Sequence, residues 1–79
     1  MATYLPAKGK SEKVDGPLTL TALQTRVKGF IQFVDLPSGD CLVINESQCS
    51  YVPVNDSATA MAGYPIRGDV ILCTPEEIA

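Results

Sequence analysis

The chain has 79 residues, 46% of them hydrophobic and 19% charged, with a net charge of −3, three cysteines and no histidine. That length holds one domain, and the balance of apolar and charged residues excludes a disordered chain. The acidic balance argues against a duplex DNA or RNA binder, which needs a basic face.

Residues 1–16 read as an extended arm or edge hairpin, and residues 17–79 as an α+β core. In the arm, Tyr4-Leu5-Pro6 suits an edge strand, because proline lacks the N–H that a central strand donates. Gly9 and the lysines around it mark a turn, and residues 12–15 return as a second short strand. Pro17 precedes a helix over 20–28. Thr19 and Thr21 are both candidate N-caps, Thr21 having Gln24 at capping-box spacing. Leu20, Leu23 and Val27 form one apolar stripe, Arg26 and Lys28 suit the negative end of the helix dipole, and Gly29 is predicted as the C-terminal stop.

Residues 30–36 are β-branched and aromatic and predict a strand. Pro37-Ser38-Gly39-Asp40 predicts a turn, and residues 41–45 the returning strand of an antiparallel hairpin. Counting by twos puts Phe30, Val34 and Leu36 on one face and Ile31 and Phe33 on the other, while Val43 opposes Leu42 and Ile44. Both faces are apolar, so this central hairpin of a small, mainly antiparallel sheet needs cover on both sides. The helix supplies one cover; the C-terminal segment, a second chain or a ligand must supply the other. Further on, residues 49–52 predict a third short strand ended by Pro53. Asn55 or Asp56 caps a short helix over 57–62 closed by Gly63, residues 69–74 form the last strand, and Thr74-Pro75-Glu76-Glu77 starts a helical turn.

Catalytic equipment is not evident, and no cofactor or metal is predicted. Histidine, the commonest general acid–base, is missing. The cysteines (Cys41, Cys49, Cys73) are odd in number and irregularly spaced, which argues against a disulfide framework and against zinc; buried structural thiols are expected instead. Cys41 beside Asp40 and Cys73 after an apolar run are poorly placed for activation. The glycines stand singly, without a phosphate-cradling loop. Turn chemistry explains Asp35 and Asp40 better than a hard cation does, and the start of a helical turn explains Glu76 and Glu77.

A binding protein is the prediction that remains. Candidate contacts are Tyr51, Asn55, Asp56, Tyr64, Arg67 and Asp69, in the least regular segment. Tyrosines offer contact area with a hydrogen-bonding tip, and Arg67 suits a bidentate grip on phosphate or carboxylate. The competing structural roles are a helix cap for Asn55, an Arg67–Asp69 pair, and tyrosines as a lid on the core. Lys8, Lys10 and Lys13 read as a solvated loop, with a phosphate contact as the alternative. A thin core and a two-sided apolar sheet predict a homo-oligomer. Without a membrane-length apolar run or a signal-peptide pattern, the predicted setting is the cytoplasm.

Leu23-Gln24, Val27, Gly29-Phe30-Ile31-Gln32, Val34, Leu36, Gly39, Leu42-Val43, Asn45-Glu46, Asn55, Ala58, Ile66 and Gly68-Asp69 carry a further reading. This pattern, covering somewhat over half of the chain, resembles a family of short phage-, prophage- and plasmid-encoded proteins of unknown function. The chain departs from it at Lys28, where the family has a second glycine, and at Gln32, where it usually has an acid. The resemblance implies a phage or mobile-element origin. The expected function is then that of an accessory protein that binds and inhibits or modulates a host protein, such as a defence or regulatory factor. The alternatives are an oligomeric sponge for a small nucleotide-like ligand and a structural virion component.

Overall fold

Two hairpins far apart in the chain are joined into one sheet by the last strand. The structure, a computed structural model, describes residues 2–14 and 18–78. Asp15, at the predicted end of the second strand, and Pro17, ahead of the helix, lie outside the described residues. Among the described residues, strands β1 (Ala2–Leu5), β2 (Glu12–Val14), β3 (Ile31–Asp35), β4 (Cys41–Asn45) and β5 (Val70–Cys73) form an antiparallel sheet in the order β2-β1-β5-β4-β3. Helices α1 (Leu20–Val27) and α2 (Asp56–Ala62) and a 3-10 turn over Pro75–Glu77 complete it. This is the predicted small α+β fold. No described helix is long and apolar enough to cross a membrane.

The predicted hairpin is β3–β4, in register from Ile31 opposite Asn45 to Asp35 opposite Cys41. Its turn closes with the Gly39 N–H donating to the Leu36 carbonyl at 3.0 Å, and Gly39 takes the positive φ that side chains disfavour. Period-two alternation then sorts the sheet into two buried clusters. One face gathers Ala2, Cys41, Val43, Ile71 and Cys73 under Leu18, Leu23 and Val27 at α1. The opposite face gathers Leu5, Val34, Leu42, Ile44 and Val70 under Ala58 and Ile66, in and just after α2. Leu42 and Val43, adjacent in β4 and pointing to opposite faces, are both fully buried; burying such a side chain contributes about 1.5–3 kcal/mol.

Several expectations change. The second face is covered by α2 and Ile66, and β5 pairs edge-to-edge between β4 and β1 instead of lying across the hairpin. An uncovered sheet face therefore no longer calls for a second copy. The strand containing Tyr4 is internal, with Pro6 just past its end, so the missing N–H breaks no ladder bond. Residues 49–52 are a turn closed by the Val52 N–H on the Cys49 carbonyl, 3.0 Å, and not a strand. Phe30 lies outside β3 and is 73% exposed, and Phe33 is half exposed on the edge strand. Leu20, the first residue of an eight-residue helix, misses the sheet; Leu18 is buried instead, in a bridge to Ile78.

The ends of α1 differ from expectation in an informative way. Thr19, not Thr21, is the N-cap, accepting from the Ala22 N–H at 3.2 Å. Lys28, not Gly29, takes the left-handed conformation that ends the helix, with φ 65°. It is the one non-glycine with positive φ among the described residues. Gly29 answers a different need. A Cβ there would meet the Asn45 side-chain nitrogen at 2.8 Å. In α2, by contrast, Asn55, one of the two candidate caps, is the cap, and Gly63 is the left-handed stop as predicted. At the chain's end Glu77 accepts from the Thr74 N–H, which explains that acid as a cap.

Candidate functional site

One end of the sheet is where the chain's irregular pieces converge. The residues after β1, the end of α1, the end of β4, the 49–53 turn and the approach to β5 surround an open cleft of about 800 Å³. Its floor is built by polar side chains that hold backbone. Asn45, at the end of β4, donates from Nδ2 to the Val27 carbonyl at 2.9 Å and accepts at Oδ1 from the Ser47 N–H at 2.7 Å. It thereby satisfies a carbonyl that the C-terminus of α1 leaves open. Gln48, outside the cleft lining, accepts from the Arg67 N–H at 2.7 Å and donates to the Arg67 carbonyl at 3.2 Å, a side-chain copy of a strand pairing. The Arg67 guanidinium donates to the Ser50 and Val52 carbonyls at 3.1 and 2.7 Å, pinning the turn.

Asp69 is the charged centre of this floor. Its carboxylate accepts from the Tyr4 hydroxyl at 2.8 Å and the Ala7 N–H at 2.9 Å, and pairs with the Lys28 ammonium at 3.2 Å. Burial pushes the carboxyl up, but the Ala7 and Tyr4 hydrogen bonds and the Lys28 charge outweigh it and hold it below the usual carboxylate range. Burial, and next the bond to Asp69, push the Tyr4 hydroxyl up. The Tyr4 ring also lies under the Arg26 guanidinium, 5.0 Å from its centroid, and Arg26 pairs with Glu12 at 2.8 Å, so α1 is fastened over the first hairpin.

The rim is different in character. Phe30 and Tyr51, 73% and 86% exposed, both line the cleft, joined by Lys8 from the β1–β2 loop. Cys49 sits in the same wall, only partly buried, with Sγ 3.0 Å from the Ser47 hydroxyl. The Ser47 hydroxyl, and after it that of Tyr51, lower the Cys49 thiol, while the bond to Cys49 raises the Tyr51 hydroxyl. The expectation of buried thiols thus holds for Cys41 and Cys73 and fails for Cys49.

Of the six candidate contacts, Tyr51, Arg67 and Asp69 line the cleft. The expected Arg67–Asp69 pair is not formed: Arg67 reaches backbone carbonyls and Asp69 reaches Lys28. Asn55 is 1% exposed and structural. Its Nδ2 donates to the Leu5 and Gly68 carbonyls, both at 2.9 Å, and its Oδ1 accepts from the Ala58 N–H at 3.1 Å. Asp56 opens α2, and Tyr64, exposed beyond its end, lies off the cleft. Tyr51 does not lid the core. Of the three lysines only Lys8 lines the cleft. Among the described residues no three histidine, cysteine or acidic side chains gather as a metal site would require.

Sequence reasoning passed over Phe30, Lys28, Asn45 and Cys49, all of which line the cleft. The fold brings Gly29-Phe30, Asn45-Glu46 and Gly68-Asp69 together. These three pairs, scattered along the chain, all line the cleft. No protein-family model, curated protein or solved structure matches the chain.

Proposed function

We propose that the chain is a small non-enzymatic accessory protein, of phage or mobile-element type, that binds a host protein in the cytoplasm and inhibits or modulates it through this cleft. The observation that carries the reading is the pair Phe30 and Tyr51, two largely exposed aromatics lining one cleft whose floor is tied in place. Exposed aromatics on a rigid support are the side chains that dominate protein–protein binding energies. The polar groups that line the cleft with them (Asn45, Arg67) are engaged in holding backbone, so the rings are what the surface offers a partner.

The experiment is affinity capture from bacterial lysate with the wild-type chain and the Phe30→Ala/Tyr51→Ala double variant. The reading expects one dominant partner, stoichiometric with wild type and lost from the variant. At about 2 kcal/mol or more for each aromatic anchor, affinity falls by at least two orders of magnitude. Equal capture by both proteins, or none by wild type, refutes it.

A second reading is favoured by the size of the cleft. About 800 Å³ falls within the range of small-molecule sites, roughly 300–1,000 Å³. A nucleotide-like ligand would stack on the rings and place its phosphate at Lys8. Native mass spectrometry of protein purified from cells decides it: a retained ligand mass, with the chain oligomeric, supports the sponge, and bare chain counts against it.

A further inference from the structure

At the opposite end of the sheet from the cleft, two buried cysteines face each other. Cys41 in β4 and Cys73 in β5 are direct partners in the antiparallel ladder, and their sulfurs are 3.6 Å apart. Opposed residues in such a ladder hold their Cα atoms about 4.5 or 5.5 Å apart, within the span of about 4.4–6.8 Å that a disulfide bridges. Closing the sulfurs to a bond of about 2.05 Å is therefore a matter of side-chain rotation, with the strands left paired.

We infer that Cys41 and Cys73 are a thiol pair that a hydroperoxide oxidises to a reversible cross-strand disulfide. Cys41 is the entry point, since it lines a surface recess of about 290 Å³ with Phe33, Asp35, Pro75 and Ile78. Its sulfur gives up its proton and attacks one oxygen of hydrogen peroxide. The O–O bond breaks, a sulfenic acid forms, and the departing hydroxide takes the proton as water. The Cys73 sulfur then attacks the sulfenic sulfur. The S–O bond breaks, and the hydroxyl leaves with the Cys73 proton as a second water. In balance, two thiols lose two electrons and one peroxide becomes two waters. Burial, and next the contact with Cys41, push the Cys73 thiol up to about 12, so the closing step is slow at neutral pH and quickens as pH rises. A dithiol reductant reverses the bond by thiol–disulfide exchange.

The test uses the full chain with Cys49→Ser, which leaves these two thiols as the only ones. It is treated with hydrogen peroxide, unfolded in iodoacetamide, and read by intact mass and peptide mapping. The expected result is a monomer that has lost two hydrogens, with peptides containing residues 41 and 73 linked and both thiols restored by dithiothreitol. Since neither partner is mutated, the result does not depend on a pair variant folding. In the wild-type chain the same link forms while Cys49 is accounted for separately. Two thiols that remain alkylatable, or that take up oxygen singly without linking, overturn the inference, as do dimers joined through residues 41 or 73.

Discussion

Asn55 fastens three elements at once. It caps α2, and its amide nitrogen holds the end of β1 at the Leu5 carbonyl and the approach to β5 at the Gly68 carbonyl. Asn55→Ala removes the cap, at about 0.5–2 kcal/mol, and two further hydrogen bonds, one buried and one partly buried, at about 1 kcal/mol each. The expected loss is about 3 kcal/mol, against a total stability of about 4–12 kcal/mol for a chain of this length. Asn55→Asp is the sharper test, since it keeps the shape and the cap acceptor. It replaces the donor with an oxygen facing two carbonyls, so at pH 7 it is at least as destabilising as alanine. A buried carboxyl so placed has its folded pKa raised above the unfolded value of about 3.9. The folded state then binds more protons than the unfolded state, and the variant regains stability as pH falls toward that value. Urea unfolding followed by circular dichroism at pH 7 and pH 5 reads both effects. An Asn55→Asp chain within about 0.5 kcal/mol of wild type at pH 7, where surface substitutions usually fall, would refute the assignment of Asn55 as donor to both carbonyls.

The helix end supplies a pair of opposite predictions. Lys28→Gly relieves a left-handed side chain, a strain of roughly 1 kcal/mol, and gives up the ion pair of a well-exposed ammonium with Asp69, worth about 0–1 kcal/mol, so urea unfolding shows a small net gain. Gly29→Ala displaces Asn45 from its bonds to Val27 and Ser47 and loses about 1–2 kcal/mol by the same assay. Because Asp69 is held below its ordinary range, its stabilisation is present above the unfolded pKa of about 3.9 and is lost as pH falls through the folded value. Asp69→Asn therefore flattens the acid limb of a stability–pH profile below about pH 4. Oxidation of Cys41 and Cys73, which are 32 residues apart in sequence, constrains the unfolded chain by about 3.7 kcal/mol in the loop-entropy estimate. The oxidised Cys49→Ser chain should melt about 10 °C or more above its reduced form.

The parts of this fold legible in the sequence are those with local causes. The hairpin follows from β-branched runs around Pro37-Ser38-Gly39-Asp40, and α2 from Asn55 and Gly63 at its ends. The place of β5 was hidden, because pairing a last strand between two hairpins depends on register across the whole chain. The missed turn at 49–52 has a more specific reason. The Gln48 side-chain amide takes both backbone groups of Arg67, so the pairing expected of a strand is made by a side chain. Tyr51 and Val52 read as strand by propensity, yet the Arg67 guanidinium holds their segment as a turn. Of the residues lining the candidate cleft, Tyr51, Arg67 and Asp69 were named from their chemistry. Phe30 was absorbed into a strand face, since period-two counting cannot see that the strand begins one residue later.

The proposed partner, a host protein, meets this chain at the rim formed by Phe30 and Tyr51. The most direct measurement is photo-cross-linking in bacterial cells, with benzoylphenylalanine placed in turn at positions 30, 51, 20 and 64, all of them exposed. Contact at this rim gives one discrete protein adduct from positions 30 and 51 and none from 20 or 64. Adducts from 20 or 64 with none from 30 and 51 would contradict it.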